Sequence, residues 1–283
     1  MITSALITSC RREFGDVAKS SQTARYGDGT STLFNLGKFP IIESSYTIYY
    51  NTSAKVETTH YTLDLDSGDL LTTAAQASTI NIKANFKHAQ FRDRHWVEAI
   101  NYGIEALNSR GFFRQVIRDK TVMALSANIT EMAGPTKAVD VYELLASDDF
   151  TTSGTFKKLQ TQWSYQQDAN KVVLGSKPSR AGALATSYLR NLRTYEATSA
   201  TIDSLDDWIP LIKKSAGAYY YRYLAGKVAQ QGDAVTDEGH YRVKDLLALA
   251  TTHEQDFERL AARKKPTRPA KDLQYMILGG GVG

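Results

Sequence analysis

Hydrophobic positions along this chain follow two periods, and the switches between them separate helical stretches from strand-rich ones. From residue 2 to 19, Ile2, Ala5, Leu6, Cys10, Phe14 and Val17 fall near one helical face, while Arg11, Arg12, Glu13 and Asp16 largely occupy the other. That pattern predicts an opening amphipathic helix. Ser20 to Thr32 is small and polar around Gly27-Asp28-Gly29 and reads as a flexible loop. The period then drops toward two. Tyr46-Thr47-Ile48-Tyr49-Tyr50 reads as a strand, Asn51 to Thr58 as its turn, and His60 to Leu65 as the return strand. Asp66-Ser67-Gly68-Asp69 supplies a second turn, and Leu70-Leu71-Thr72 with Thr79 to Lys83 completes a small antiparallel sheet.

Arg92 to Arg110 returns to helical spacing. Trp96, Ile100, Ile104 and Leu107 share one face, Asp93 stands at the N-cap position, and Gly111 stands where a C-terminal cap glycine belongs. Residues 112 to 200 carry short apolar patches between turns. Among them are Phe112 to Ile117, Thr121 to Leu125, Val139 to Leu145, Lys171 to Leu174 and Thr186 to Leu192, a spacing that predicts a small β-sandwich. Two helices follow. The first opens at Ser204-Leu205-Asp206-Asp207, a capping box with Asp in place of Glu, and buries Trp208, Leu211, Ile212 and Ser215. The second starts near Thr236 and presents Val243, Leu246, Leu247, Ala250, Phe257, Leu260 and Ala261.

The predicted fold class is therefore α+β. A helical bundle (1–30, 86–118 and 201–265) carries a small antiparallel β insertion (31–85) and a β-sandwich-like insertion (119–200). An extended C-terminal arm (266–283) follows.

Composition narrows the function classes only slightly. At 42% hydrophobic and 23% charged, the 283 residues supply ample core for one large domain or two modest ones. A net charge of +4, from 34 basic and 30 acidic residues, is too small to make a strong phosphate-binding field by itself. The single cysteine, Cys10, excludes an internal disulfide. Met1 to Ile7 lacks a charged start followed by a long apolar run, so no signal peptide and no membrane span are expected, and synthesis in a reducing cytoplasm is.

Catalytic chemistry finds no foothold. None of the five histidines pairs with another at i, i+4, the spacing that sets two metal ligands on one helical face. Asp64, Asp66, Gly68 and Asp69 resemble part of a calcium loop, but the closing glutamate is missing and a hairpin turn accounts for the same residues. Gly279 to Gly283 opens no helix, so it is no phosphate cradle. Cys10 lies on an apolar face, and no serine occupies a nucleophile elbow. No catalytic, cofactor-binding or metal-ligating residue is expected, and the chain reads as a non-enzyme. Trp163, Tyr165 and Tyr188 offer stacking faces for a glycan- or nucleic-acid-binding module, or else pack inside the sandwich.

The tail is more pointed. Arg263, Lys264, Lys265, Arg268 and Lys271 cluster with two prolines and lead to Tyr275, Met276, Ile277 and Leu278. A solvated end accounts for the charges but leaves the apolar tip unexplained. A stiffened, positively steered arm that docks its tip in a partner's groove accounts for both.

The opening helix, the hairpin Tyr61-Thr62-Leu63-Asp64-Leu65-Asp66-Ser67-Gly68-Asp69-Leu70-Leu71 and the stretch Arg92 to Phe113 together resemble head-to-tail adaptor (connector) proteins of tailed bacteriophages. The resemblance is one of layout over most of the chain. It implies a virion structural protein of the neck, made in the host cytoplasm. Such a protein forms a ring, commonly of twelve copies, beneath the portal, extends the DNA channel, and presents a platform to the tail or further neck proteins. By position, portal docking falls on Arg263 to Leu278. Contact with packaged DNA would be non-specific, and no membrane is involved. Residues 119 to 200 would be an extra domain. Another tail or neck component, or a glycan-binding sandwich, is the alternative.

Overall fold

The apolar period of the opening residues forms a helix, α1 (Thr3–Glu13), with Leu6 and Cys10 buried in it and Phe14 buried just beyond its end. The computed structural model describes residues 3–125, 130–147, 156–159, 162–177, 182–195, 206–231 and 242–264. Across these it is a mixed α+β protein with four helices and several small antiparallel sheets. No described helix is long and apolar enough to cross a membrane. The chain divides into two compact units. One holds α1, the first seven strands, most of the second helix and the last two helices. The other holds the remaining seven strands.

In the first unit, the residues expected to loop out after α1 form a strand, β1 (Lys19–Tyr26). Its sequence, Lys-Ser-Ser-Gln-Thr-Ala-Arg-Tyr, has no apolar alternation because it lies at a sheet edge and none of its residues is fully buried. What holds it is distant in sequence. It pairs over its whole length with β7 (Asn81–His88). Between them come β2 (Leu33–Asn35), β3 (Thr47–Tyr50), β4 (Ser53–Ala54), β5 (Tyr61–Leu63) and β6 (Asp69–Thr72). The expected single sheet is in fact two, ordered β1-β7-β3-β4 and β2-β6-β5. Ile48, Ile82 and Phe86 of the first share one core with Phe34, Leu63 and Leu70 of the second. Each such side chain, fully buried, contributes roughly 1.5–3 kcal/mol.

The Asp64–Asp69 segment is the expected hairpin turn. Leu63 pairs with Leu70, the Asp64 amide donates to the Asp69 carbonyl at 2.8 Å, and Asp64 Oδ1 accepts from the Asp66 amide at 2.8 Å. That amide holds the Asp64 carboxyl below the usual carboxylate range.

The second helix, α2 (Asp93–Ser109), buries Trp96, Ile100, Ile104 and Leu107 as the spacing predicts, and Gly111 follows at φ 78°, which a residue without Cβ adopts without strain. Asp93 is not the N-cap. The Trp96 amide donates to the Arg92 carbonyl, so helical bonding begins one residue earlier, and Glu43 Oε2 accepts from the Asp93 amide at 3.1 Å.

The second unit is β-rich. The patches 112–117 and 121–125 belong to one long strand, β8 (Arg114–Leu125). It is joined by β9 (Glu131–Ala133), β10 (Ala138–Ser147), β11 (Phe156–Lys158), β12 (Trp163–Gln166), β13 (Lys171–Leu174) and β14 (Gly182–Arg190). Two sheets result, β11-β10-β14-β8 and β12-β13-β9. Val141, Leu144 and Leu184 from one share a core with Val172 and Leu174 from the other.

Back in the first unit, a 3-10 turn (Asp206–Trp208) leads into α3 (Ile209–Gln231). Then α4 runs Val243–Arg263. Ser204 and the expected start near Thr236 lie outside the described residues. The helices meet through aromatic rings. Phe14 of α1's end stacks on Trp96 of α2 at 5.9 Å, Trp96 stacks on Tyr220 of α3 at 5.1 Å, and Tyr221 stacks on His253 of α4 at 5.5 Å. Gly217 makes this possible: a Cβ there would stand 2.6 Å from the Phe14 ring. Lys213 and Lys214 of α3 reach Glu13 at 3.1 and 3.5 Å, adding partly exposed ion pairs to the rings.

Candidate functional site

A cluster of buried and half-buried charges lies where α1 ends and α2 begins. Arg11 and Asp16, expected on a solvated helical face, are both buried. The helix stops at Glu13, Gly15 turns the chain at φ 74°, and Asp16 therefore points inward where a continued helix would have turned it out. Val17, expected in the core, is 57% exposed for the same reason.

Arg11 Nη1 donates to Asp16 Oδ2 at 2.5 Å, and its Nη2 donates to Asp93 Oδ1 at 2.8 Å and to the Phe91 carbonyl at 2.7 Å. Asp16 Oδ2 also accepts from Trp96 Nε1 at 2.8 Å. Asp16 Oδ1 accepts from the amides of Gln90 and Phe91 at 2.6 and 3.3 Å. Burial pushes the Asp16 carboxyl up to about 6, against the opposing pull of Arg11, Trp96 and the two amides. A second fork stands beside it. Arg92 Nε donates to Glu43 Oε1 and its Nη1 to Asp66 Oδ2, both at 2.8 Å.

A carboxyl near 6 has the proton affinity of an acid–base catalyst. This one has both oxygens committed, each to two donors, so taking a proton from a substrate would require breaking the network. Its neighbouring cleft is small, about 150 Å³, and bordered by Gly15, Lys19, Gly37, Lys38, His88 and Gln90. The arrangement fixes elements. It joins residues 11, 16 and 91–96 into one buried node, and the Arg92 fork adds residues 43 and 66.

The other candidates are spread apart in use. Cys10 is buried in α1, and burial pushes its thiol up to about 12, far from thiolate chemistry at neutral pH. His95 lies among Phe91 and Tyr223, and His253 among Phe14 and Tyr221. Among the described residues no three His, Cys, Asp or Glu side chains are grouped to hold a metal ion. Tyr165 donates its hydroxyl to the Ala138 carbonyl at 3.0 Å, Tyr188 is buried, and Trp163 packs on the same core, so these rings serve the two sheets. Of the arm residues, Arg263 ends α4 and Lys264 follows it. Lys265, Arg268, Lys271, Tyr275, Met276, Ile277 and Leu278 lie outside the described residues.

Sequence reading missed the node because a helical wheel carried past Glu13 assigns Asp16 to the wrong side. The available signal was Gly15, a helix-ending residue one position before the acid. No protein-family model matches this sequence, and no curated protein matches it either.

Proposed function

We propose that this protein is a virion structural component, a head-to-tail adaptor whose copies form a ring joining portal to tail. In this reading the helices form the wall of the ring, the two β-rich parts widen its rim, and Arg263 to Leu278 form the arm that engages the portal. The observation that supports an architectural role is the use made of the buried and half-buried charges. Arg11, Asp16, Asp93, Arg92 and Glu43 are all spent on joining distant segments, with no donor or acceptor of Asp16 left over for a substrate. Contacts that are weak singly become strong when repeated around a closed ring.

The test is an affinity pull-down of the tagged full-length chain from virion-producing cells, after nuclease treatment, with mass spectrometry of the retained proteins. A portal-sized structural protein is expected in comparable amount, and it should be lost when Lys264, Lys265, Arg268 and Lys271 are all changed to Glu. An eluate free of virion proteins overturns the reading.

A further inference from the structure

The sheet β1-β7-β3-β4 has an outer face with chemistry that its core does not need. In β7, Ile82, Ala84 and Phe86 are buried, so Asn81, Lys83, Asn85 and Lys87 take the opposite face. Register places Tyr26, Gln22 and Ser20 of β1 beside Asn81, Asn85 and Lys87 on that face. From the other side β3 sets Thr47 against Asn85 and Tyr49 against Lys83. A shallow cleft of about 510 Å³ runs over these strands, bordered by hydroxyl and amide groups of Ser20, Gln22, Thr47 and Asn85 and by Lys87.

Three properties of this face point to one kind of ligand. No acidic residue stands at any of its strand positions, while Lys83 and Lys87 are without ion-pair partners among the described residues. Four residues apart on one strand, the two lysines stand about 13 Å from each other. Between them the row Gln22–Asn85–Thr47 is neutral and can both donate and accept hydrogen bonds. Tyr26 is 67% exposed at the open edge, and Tyr49 is half-buried beside Lys83.

Separated cations suit phosphates, amide and hydroxyl rows suit base edges and sugars, and an exposed ring offers a stacking face that any unpaired base can use. A duplex buries its base faces and cannot use the ring. A sulfated polysaccharide would leave the neutral row without matching charge. We propose that this outer face binds single-stranded nucleic acid, with Lys83 and Lys87 on phosphates and Tyr26 under a base. The inference goes beyond the adaptor reading and does not rest on it.

Fluorescence anisotropy of the full chain with a labelled oligothymidine tests it, with a hairpin duplex and heparin as competitors. Saturable binding that weakens with salt is expected. Lys83→Gln/Lys87→Gln should lower the salt slope by about 1.4, the value for two phosphate contacts on a single strand. Tyr26→Ala should weaken binding roughly tenfold, with circular dichroism and the melting temperature unchanged in both variants. Absence of binding overturns the proposal, and so does binding indifferent to these substitutions. Heparin or duplex bound as tightly, with no dependence on Tyr26, reassigns the face to generic polyanions and overturns it too.

Discussion

Arg11 shows what a single side chain does in this fold. Its guanidinium sits between two carboxylates, Asp16 and Asp93, and also serves the Phe91 carbonyl. Removing one partner of a buried pair leaves the other charge uncompensated. Arg11→Met is therefore expected to cost about 3–5 kcal/mol at pH 7, read as a shift of the urea midpoint. The sign of its pH dependence follows from Asp16. Burial already raises that carboxyl to about 6, and losing Arg11 raises it further. Protonating Asp16 removes the stranded charge, so the variant's deficit should shrink when the measurement is repeated at pH 5. A deficit equal at both pH values would show that Asp16 is not the group left stranded. Beyond the helix end that Gly15 signals, little of this was legible in the sequence, where Arg11 and Asp16 look like two more charges on a polar helical face. Their burial depends on partners at residues 90 to 96, too far along the chain for any local pattern to register.

At the scale of elements, legibility tracked the location of the partner. The face of α2 was readable because Trp96, Ile100, Ile104 and Leu107 are buried at helical spacing along one element. The hairpin at Asp64–Asp69 was readable because its turn chemistry is local. Strand β1 was not, because an edge strand needs only backbone partners and β7 supplies them from 55 or more residues away. Helix α4 adds an expectation of its own. Its His253 lies between Phe14 and Tyr221, with Nδ1 buried and without a hydrogen-bond partner among the described residues. Burial and nearby Lys214 hold this imidazole below its ordinary value. The unfolded chain therefore takes up a proton first as pH falls below about 6.5, and stability drops with it. His253→Phe should flatten the fall in urea midpoint between pH 6.5 and 5 relative to the parent protein. An unchanged slope would place that sensitivity elsewhere.

For the whole molecule, the coarse α+β class was legible from alternating periods, and the layering was not. Whether a segment such as Leu70-Leu71-Thr72 adds to one sheet or founds a second depends on which strands it meets in space. The ring reading makes an expectation at this scale. Cross-linking the chain on isolated portal, followed by native mass measurement, should give many copies per portal, and a single copy would exclude a ring. The route by which the fold is completed also has a consequence for synthesis. Phe14 is made well before most of the rings that pack against it, since Trp96 aside these belong to Tyr220, Tyr221 and His253. A ribosome adding 5–20 residues per second takes about 10–50 s to cover such separations. Through that interval the nascent chain carries an uncovered aromatic seam. Translation is therefore a moment of exposure, when sister chains on one message can meet the seam before it closes.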